Sequence, residues 1–311
     1  MIQYIQQNDI NRSKWDMCID EAFNGLVYAK SWYLDIVADQ WDALVENDYE
    51  KVFPLVHRKK WGISYLYQPP FTQQLGLFSK TLLTEESMNE FLRAIPEKFK
   101  FAEINLNTFN KVSNKEWTSK DWLTHELDLI NSYDNLQKNY STNLKRNLRK
   151  PANESLTLAK SIKPEEIIAL FRENRGKLLA NLDNEDYVRL SRLTYSGIYK
   201  GIISTYGVYD QINTLCAAAI FLQSKKKTVF LFSGLSDFGR EAGAMAWLID
   251  SFIKENQHKH LTLDFEGSND PNLARFYKGF GSTEVTYPHL CFNRLGPASR
   301  LLVNVAKRLK R

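Results

Sequence analysis

The residues best suited by type and spacing to do chemistry lie in Leu261-Thr-Leu-Asp264-Phe-Glu266 and in the stretch that follows, which ends on Arg275-Phe276-Tyr277-Lys278-Gly279-Phe280-Gly281. Asp264 and Glu266 alternate along a predicted strand, so both carboxylates are expected on one face, beside a cleft that Tyr277 also reaches. A carboxylate that accepts a proton, directly or through water, and a phenol that returns one make an acid–base set for group transfer. A second group precedes them. The predicted strand 228–234 passes through Ser233-Gly234-Leu-Ser-Asp-Phe-Gly239-Arg240-Glu-Ala-Gly243-Ala244 into a helix whose Met245, Leu248, Ile249, Phe252 and Ile253 form one apolar stripe. Glycine lets backbone approach a ligand, the first-turn N–H groups of a helix lack internal partners, and Arg240 adds a charged donor, so the turn suits a phosphate or pyrophosphate. The same pattern also describes an ordinary glycine turn before a packed helix.

Other chemistries find little support. The chain has no Gly-x-Ser-x-Gly elbow and no Gly-Lys-Ser/Thr loop. His258 and His260 have no carboxylate close in sequence, so no metal is expected; His57, His125 and His289 are isolated on predicted strands and are read as structural. Cys18, Cys216 and Cys291 are far apart and form no Cys-x-x-Cys pair, which argues against a disulfide framework and fits a reducing cytoplasm. No apolar run of about 18 residues occurs, so no membrane span is expected, and the polar first residues do not read as a secretory signal. The net charge of +5 is uneven. Lys138, Lys145, Arg146, Arg149 and Lys150 share one acid-free stretch, and Arg300, Lys307, Arg308, Lys310 and Arg311 crowd the C-terminus. Both are read first as solvated helix faces, with tRNA, anionic lipid or a phosphorylated substrate as the alternative partners.

The elements that must position these residues follow from periodicity. Helices are predicted over 10–24 and 31–39, the second capped by Ser31; strands over 43–45, 52–56 and 63–67 form a meander; a helix opened by Thr84 runs to about Ile95; strands at 101–106 and 124–129 precede a helix over 133–150, with Leu136, Tyr140, Leu144 and Leu148 along one side. After a seam at Pro151 the order starts again: strand 156–159, a helix from Pro164, a helix 184–200, a meander 202–209, 215–223 and 228–234, helix 241–254, strand 261–266, helix 271–279, strands 282–286 and 289–293, and a basic C-terminal helix. The fold class expected is α/β of the α+β type: two tandem domains, 1–150 and 151–311, each a mixed, mostly antiparallel sheet flanked by helices. With 311 residues, 43% of them hydrophobic, each domain has enough material for a core.

Together the two groups of residues resemble the GNAT acyltransferase superfamily, and within it the Fem-type, tandem-GNAT branch. Arg240-x-x-Gly243 is similar to the loop that holds the coenzyme A pyrophosphate, although Met245 stands where a small residue is expected. Asn272-x-Ala274-x-Phe276-Tyr277-x-x-Phe280-Gly281 resembles the segment that carries the family's tyrosine. In the first half, Ala29-Lys30-Ser31-Trp32-Tyr33-Leu34, Gln68-Pro69-Pro70-Phe71 and Gly76 look like Fem-type landmarks, but no donor loop precedes the Thr84 helix. The resemblance implies direct transfer of an acyl group to an amine. Tyr277 would be the acid for the departing thiolate and Glu266 or Asp264 the base; Ser233, Gly239, Arg240, Gly243 and Ala244 would hold acyl-CoA or acetyl-CoA; Lys278 and Tyr67 would help bind a small-molecule or peptide-like amine acceptor. No metal is implied. The first copy would support the second or bind the acceptor. Two other readings stay open: a Fem-type aminoacyl-tRNA-dependent transferase acting on a cell-wall precursor, and a non-catalytic ligand-binding double domain. Fem transferases carry Phe-Lys-x-x-Phe where this chain has Phe276-Tyr277-Lys278-Gly279-Phe280, a departure toward the coenzyme A branch.

Overall fold

The computed structural model describes residues 1–113, 116–150, 155–178 and 182–296. The seam expected at Pro151 and the basic C-terminal helix lie outside the described residues. The chain divides into two compact units: Met1–Trp122 with the chain from Thr286 onward, and Leu123–Val285. Trp122 and Leu123 fall inside a single strand, a place that carries no turn residues to mark it.

The first unit opens with β1 (Ile2–Ile5), α1 (Arg12–Glu21), α2 (Ser31–Val37), β2 (Gln40–Glu46), β3 (Lys51–Lys60), β4 (Ile63–Tyr67), β5 (Phe78–Ser79), α3 (Glu85–Arg93) and β6 (Phe99–Asn105). β1 to β4 pair antiparallel in sequence order, β6 runs parallel to β4, and the last described strand, Thr283–Asn293, pairs antiparallel with β6. Helix α3 is stopped and started as its sequence requires: Thr84 accepts a hydrogen bond from Ser87 N at 3.1 Å, Glu85 and Glu86 occupy the positive end, and Met88, Phe91 and Leu92 are buried in a core with Phe53, Leu66 and Phe99. Asn11 caps α1 in the same way. Ser31 does not cap α2. The cap position is Lys30, and the Ser31 hydroxyl instead donates to Asp16 Oδ2 at 2.7 Å.

From β7 (Thr118–Asp128) the second unit continues with α4 (Tyr133–Lys138), α5 (Thr142–Asn147), β8 (Thr157–Lys160), α6 (Pro164–Glu173), α7 (Asn184–Tyr199), β9 (Ile203–Tyr209), β10 (Leu215–Ser224), β11 (Lys227–Leu235), α8 (Asp237–Glu241), α9 (Ala244–Asn256), β12 (Thr262–Asp264), α10 (Pro271–Lys278) and β13 (Thr283–Asn293). β8 to β11 form an antiparallel meander, β12 runs parallel to β11, and β7 runs antiparallel to β12. Each unit thus repeats a meander, a helical crossover and a parallel strand, the mixed sheet flanked by helices that the sequence predicts.

Three differences from the sequence reading have local causes. The helix expected over 133–150 is two helices, because Ser141 caps a new one by accepting from Leu144 N at 3.2 Å; Leu136, Tyr140 and Leu144 are buried all the same. The helix expected from Glu241 is α8 and α9, separated at Gly243, whose φ of +74° leaves the helical region. The two strands expected at 282–286 and 289–293 are the one strand β13.

Candidate functional site

The second unit contains a fork between parallel strands. β11 pairs with β12 only through Lys227↔Thr262, Thr228↔Leu263 and Val229↔Asp264, after which β12 ends while β11 continues to Leu235. Along 230–235, the edge of β11 turned away from β10 has no strand beside it among the described residues, and alternate backbone groups face the gap. Among its described residues the first unit has no such fork, because β4 ends at Tyr67, its last residue paired with β6.

Tyr277 stands in this fork. Its ring stacks on Phe265, just beyond β12, with centroids 4.9 Å apart, and meets Phe230, the first residue of β11 past the last pair, edge-on at 6.2 Å. It is 5% exposed, and no hydrogen bond to its hydroxyl is made among the described residues. Burial raises the phenol well above the ordinary tyrosine range; Arg175 opposes this, and the charges of Glu266 and Asp270 add to it. The phenol is therefore a proton carrier at neutral pH. Arg175 and Asp270 form an ion pair at 2.9 Å, and Asp270 also caps α10 by accepting from Asn272 N. Arg175 comes from a distant segment, and no sequence signal marks it.

The two carboxylates do not alternate on one strand face. β12 stops at Asp264, and Glu266 has a left-handed backbone, φ +52°, with its N–H donating to Asp264 Oδ1 at 3.1 Å. That bond ends the strand, as aspartate side chains commonly do at turns. Asp264 is 2% exposed and fully engaged: it also accepts from the Thr124 hydroxyl at 2.5 Å and from Lys227 Nζ at 3.2 Å. Burial pulls the Lys227 ammonium down, but Asp264 and Glu126 outweigh it and hold the pKa above the lysine value. Asp264 is thus a structural anchor, and Glu266, which is only partly buried, is the carboxylate whose charge reaches Tyr277.

The glycine turn is shaped by the chain's own packing. A Cβ at Gly243 would lie 2.7 Å from the Asn147 carbonyl oxygen, and one at Gly239 would lie 2.2 Å from that of Cys216. The space beside Gly243, which the sequence reading reserved for a ligand phosphate, holds the C-terminal carbonyl of α5. Both glycines are accounted for by these contacts. Gly239 N–H donates to the Ser236 hydroxyl at 3.0 Å, and Arg240 pairs with Asp237 at 2.8 Å while remaining exposed. Ala244 begins α9 and is buried; Ser233, half-buried on β11, lies in the part of that strand beyond the fork.

Lys278 is exposed beside Tyr277 at the end of α10. Tyr67 belongs to the first unit, where Arg58 sits over its ring at 4.3 Å and its hydroxyl accepts from Asp39 N. His125, read from sequence as structural, is in the neighbourhood of Tyr277: its carbonyl accepts from Phe265 N, and its Nδ1 lies 2.9 Å from the Ser268 hydroxyl, which donates to the Glu266 carbonyl. It holds the loop that carries Glu266. A lone histidine on a strand gives no sign of this.

No protein-family model matches the chain, and no curated protein matches it. Among solved structures it is similar to FemX, with a TM-score of 0.62 and 12% identity over 92% of this chain and 96% of that one. This is the fold of FemX. The same Fem-type architecture is shared with L-PGS from Bacillus licheniformis (TM-score 0.55, 10% identity, 96% of this chain and 97% of that one). It is also shared with the C-terminal domain of a putative lysylphosphatidylglycerol synthetase from Agrobacterium fabrum (TM-score 0.52, 10% identity, 96% and 98%). At these identities the likeness establishes the Fem-type fold alone. Among the described residues no helix is long and apolar enough to cross a membrane.

Proposed function

We propose that the protein transfers an acyl or aminoacyl group from an activated carbonyl donor to an amine. The observation that carries this reading is Tyr277 held in the fork between β11 and β12, its hydroxyl making no hydrogen bond among the described residues and its pKa raised. An acyl group laid along the open edge of β11 would meet backbone N–H groups able to stabilise the oxyanion of a tetrahedral intermediate. Glu266 would take the proton of the attacking amine, Tyr277 would give one to the departing thiolate or alkoxide, and Lys278 would orient the acceptor. Asp264, Thr124 and His125 hold the strand end and the loop that position these groups.

The donor in this reading is an acyl-CoA, its phosphates met by the exposed Arg240 and the N-terminal turn of α9, outside the space beside Gly243 that the Asn147 carbonyl fills, in a cytoplasmic setting that suits three free cysteines. A second donor, aminoacyl-tRNA, is favoured by a specific observation: α5 closes the space beside Gly243 with its own carbonyl, and Lys150, at the end of the same basic segment, donates to the Glu241 carbonyl at 2.9 Å, which brings one cation of that segment against the turn. The test is to offer acyl-CoAs and charged tRNAs separately with a panel of amines and peptide amines, following thiol release or deacylation that depends on the amine. Amine-dependent turnover with one donor class assigns it; none with either class, across a broad amine panel, would leave a ligand-binding module as the better reading.

A further inference from the structure

We propose that the tip of the β3–β4 hairpin is a contact site for an anionic membrane surface. The turn has two central residues, Trp61 and Gly62, both at positive φ (+52° and +76°), between the paired residues Lys60 and Ile63. This is the geometry that asparagine followed by glycine adopts with least strain; a tryptophan there is strained in its backbone. Nor is the ring used for packing. Trp61 is 63% exposed, and its ring contact is with the Lys60 ammonium, 4.7 Å from the centroid. A strained, solvated tryptophan gains nothing for the fold, so its use is sought outside it.

The charge around the ring says what it meets. From Lys51 to Tyr67 there is no acidic residue. Lys51 is paired with Glu46 and Arg58 with Asp39, but Lys59 and Lys60 are exposed and make no ion pair among the described residues. Tryptophan is the side chain that settles at the headgroup level of a bilayer, and lysines close to an anionic surface add attraction while their stems lie along it. A nucleic acid is the other polyanion to consider. Single-stranded nucleic acid is held by a groove that tracks its backbone and by successive stacking rings, whereas here one ring, 63% exposed, stands at the tip of a hairpin. The observations therefore favour lipid.

The experiment is flotation of the full chain with vesicles of phosphatidylglycerol and phosphatidylcholine, and with phosphatidylcholine alone, at low salt. Binding is expected only to the anionic vesicles. The double variant Lys59→Gln, Lys60→Gln should weaken it about 25-fold, from about fivefold per cation at an anionic surface. Trp61→Asn should weaken it too, while thermal stability stays the same or rises, because asparagine suits the turn. That pairing separates lost contact from lost folding. Failure of the wild type to bind, binding that neither variant alters, or variants that lower binding to RNA but not to vesicles would each overturn the proposal. None of these outcomes depends on the transferase reading.

Discussion

Tyr277→Phe separates chemistry from packing more cleanly than any other substitution in the fork. The ring lies 4.9 Å from that of Phe265 and 6.2 Å from that of Phe230, contacts that phenylalanine preserves. Since the hydroxyl makes no hydrogen bond among the described residues, its removal strands no buried partner, and stability should change by less than about 0.5 kcal/mol. Truncation to alanine would instead leave a cavity in the core and cost about 3–5 kcal/mol. If the phenol protonates the leaving group, kcat should fall by about 10²- to 10⁴-fold, a barrier increase of about 2.7 to 5.4 kcal/mol. The assay is amine-dependent release of thiol or tRNA under saturating donor, with urea denaturation run on the same preparations. An unchanged kcat in a stably folded Tyr277→Phe protein would refute the assignment and reduce Tyr277 to a packing residue. A large loss of stability would refute the description of its hydroxyl as unpartnered.

Three further outcomes follow from named contacts. Gly243→Ala should destabilise by at least about 1–2 kcal/mol in urea, with or without any donor, because a side chain must adopt a left-handed backbone and meet the Asn147 carbonyl; an equal stability would mean that α5 does not cover the turn. Asp250 is buried in α9, and burial raises its carboxyl above 3.8 although Tyr133 opposes this with a 2.8 Å hydrogen bond. The stability it gives is full below pH 3.8 and is lost as pH rises through the raised value, so Asp250→Asn should increase the melting temperature at pH 7 and not at pH 3. His125 is shifted the other way: burial lowers it below 6.5, with Glu284 opposing and Lys278 assisting. Its contribution is full above pH 6.5 and is lost as pH falls through the lowered value, so His125→Gln should flatten the acid side of the stability profile, measured by thermal denaturation from pH 7.5 to about pH 4.

Much of the architecture was legible because it rests on local patterns. The two meanders show as β-branched and aromatic runs broken by turns, and the Thr84 cap was readable from Thr-Glu-Glu alone. Tyr277 stands out in the sequence by its motif, and the structure places its ring between Phe265 and Phe230. What was hidden depends on partners distant in sequence. Nothing near Asp264 says that Thr124 and Lys227 will occupy it, and nothing near Gly243 announces the Asn147 carbonyl. The alternation of Asp264 and Glu266 was a fair inference from spacing, overturned by one side-chain hydrogen bond that ends the strand. The break at Ser141 could have been read, since a serine before Thr-Asn-Leu is a capping signal; the apolar spacing by four concealed it.

The path of the chain through the two units bears on how it is made. The first unit needs β13: Leu290 and Phe292 lie in its core, and His289 to Asn293 pair with Asn105 to Phe101 on β6. Those residues are synthesised after the whole of Leu123–Val285, which is one uninterrupted stretch. On the ribosome the second unit can therefore close while the first still has an unpaired strand edge, reversing the usual order in which the leading domain matures first. During that interval β6 presents backbone groups open to pairing with the wrong strand.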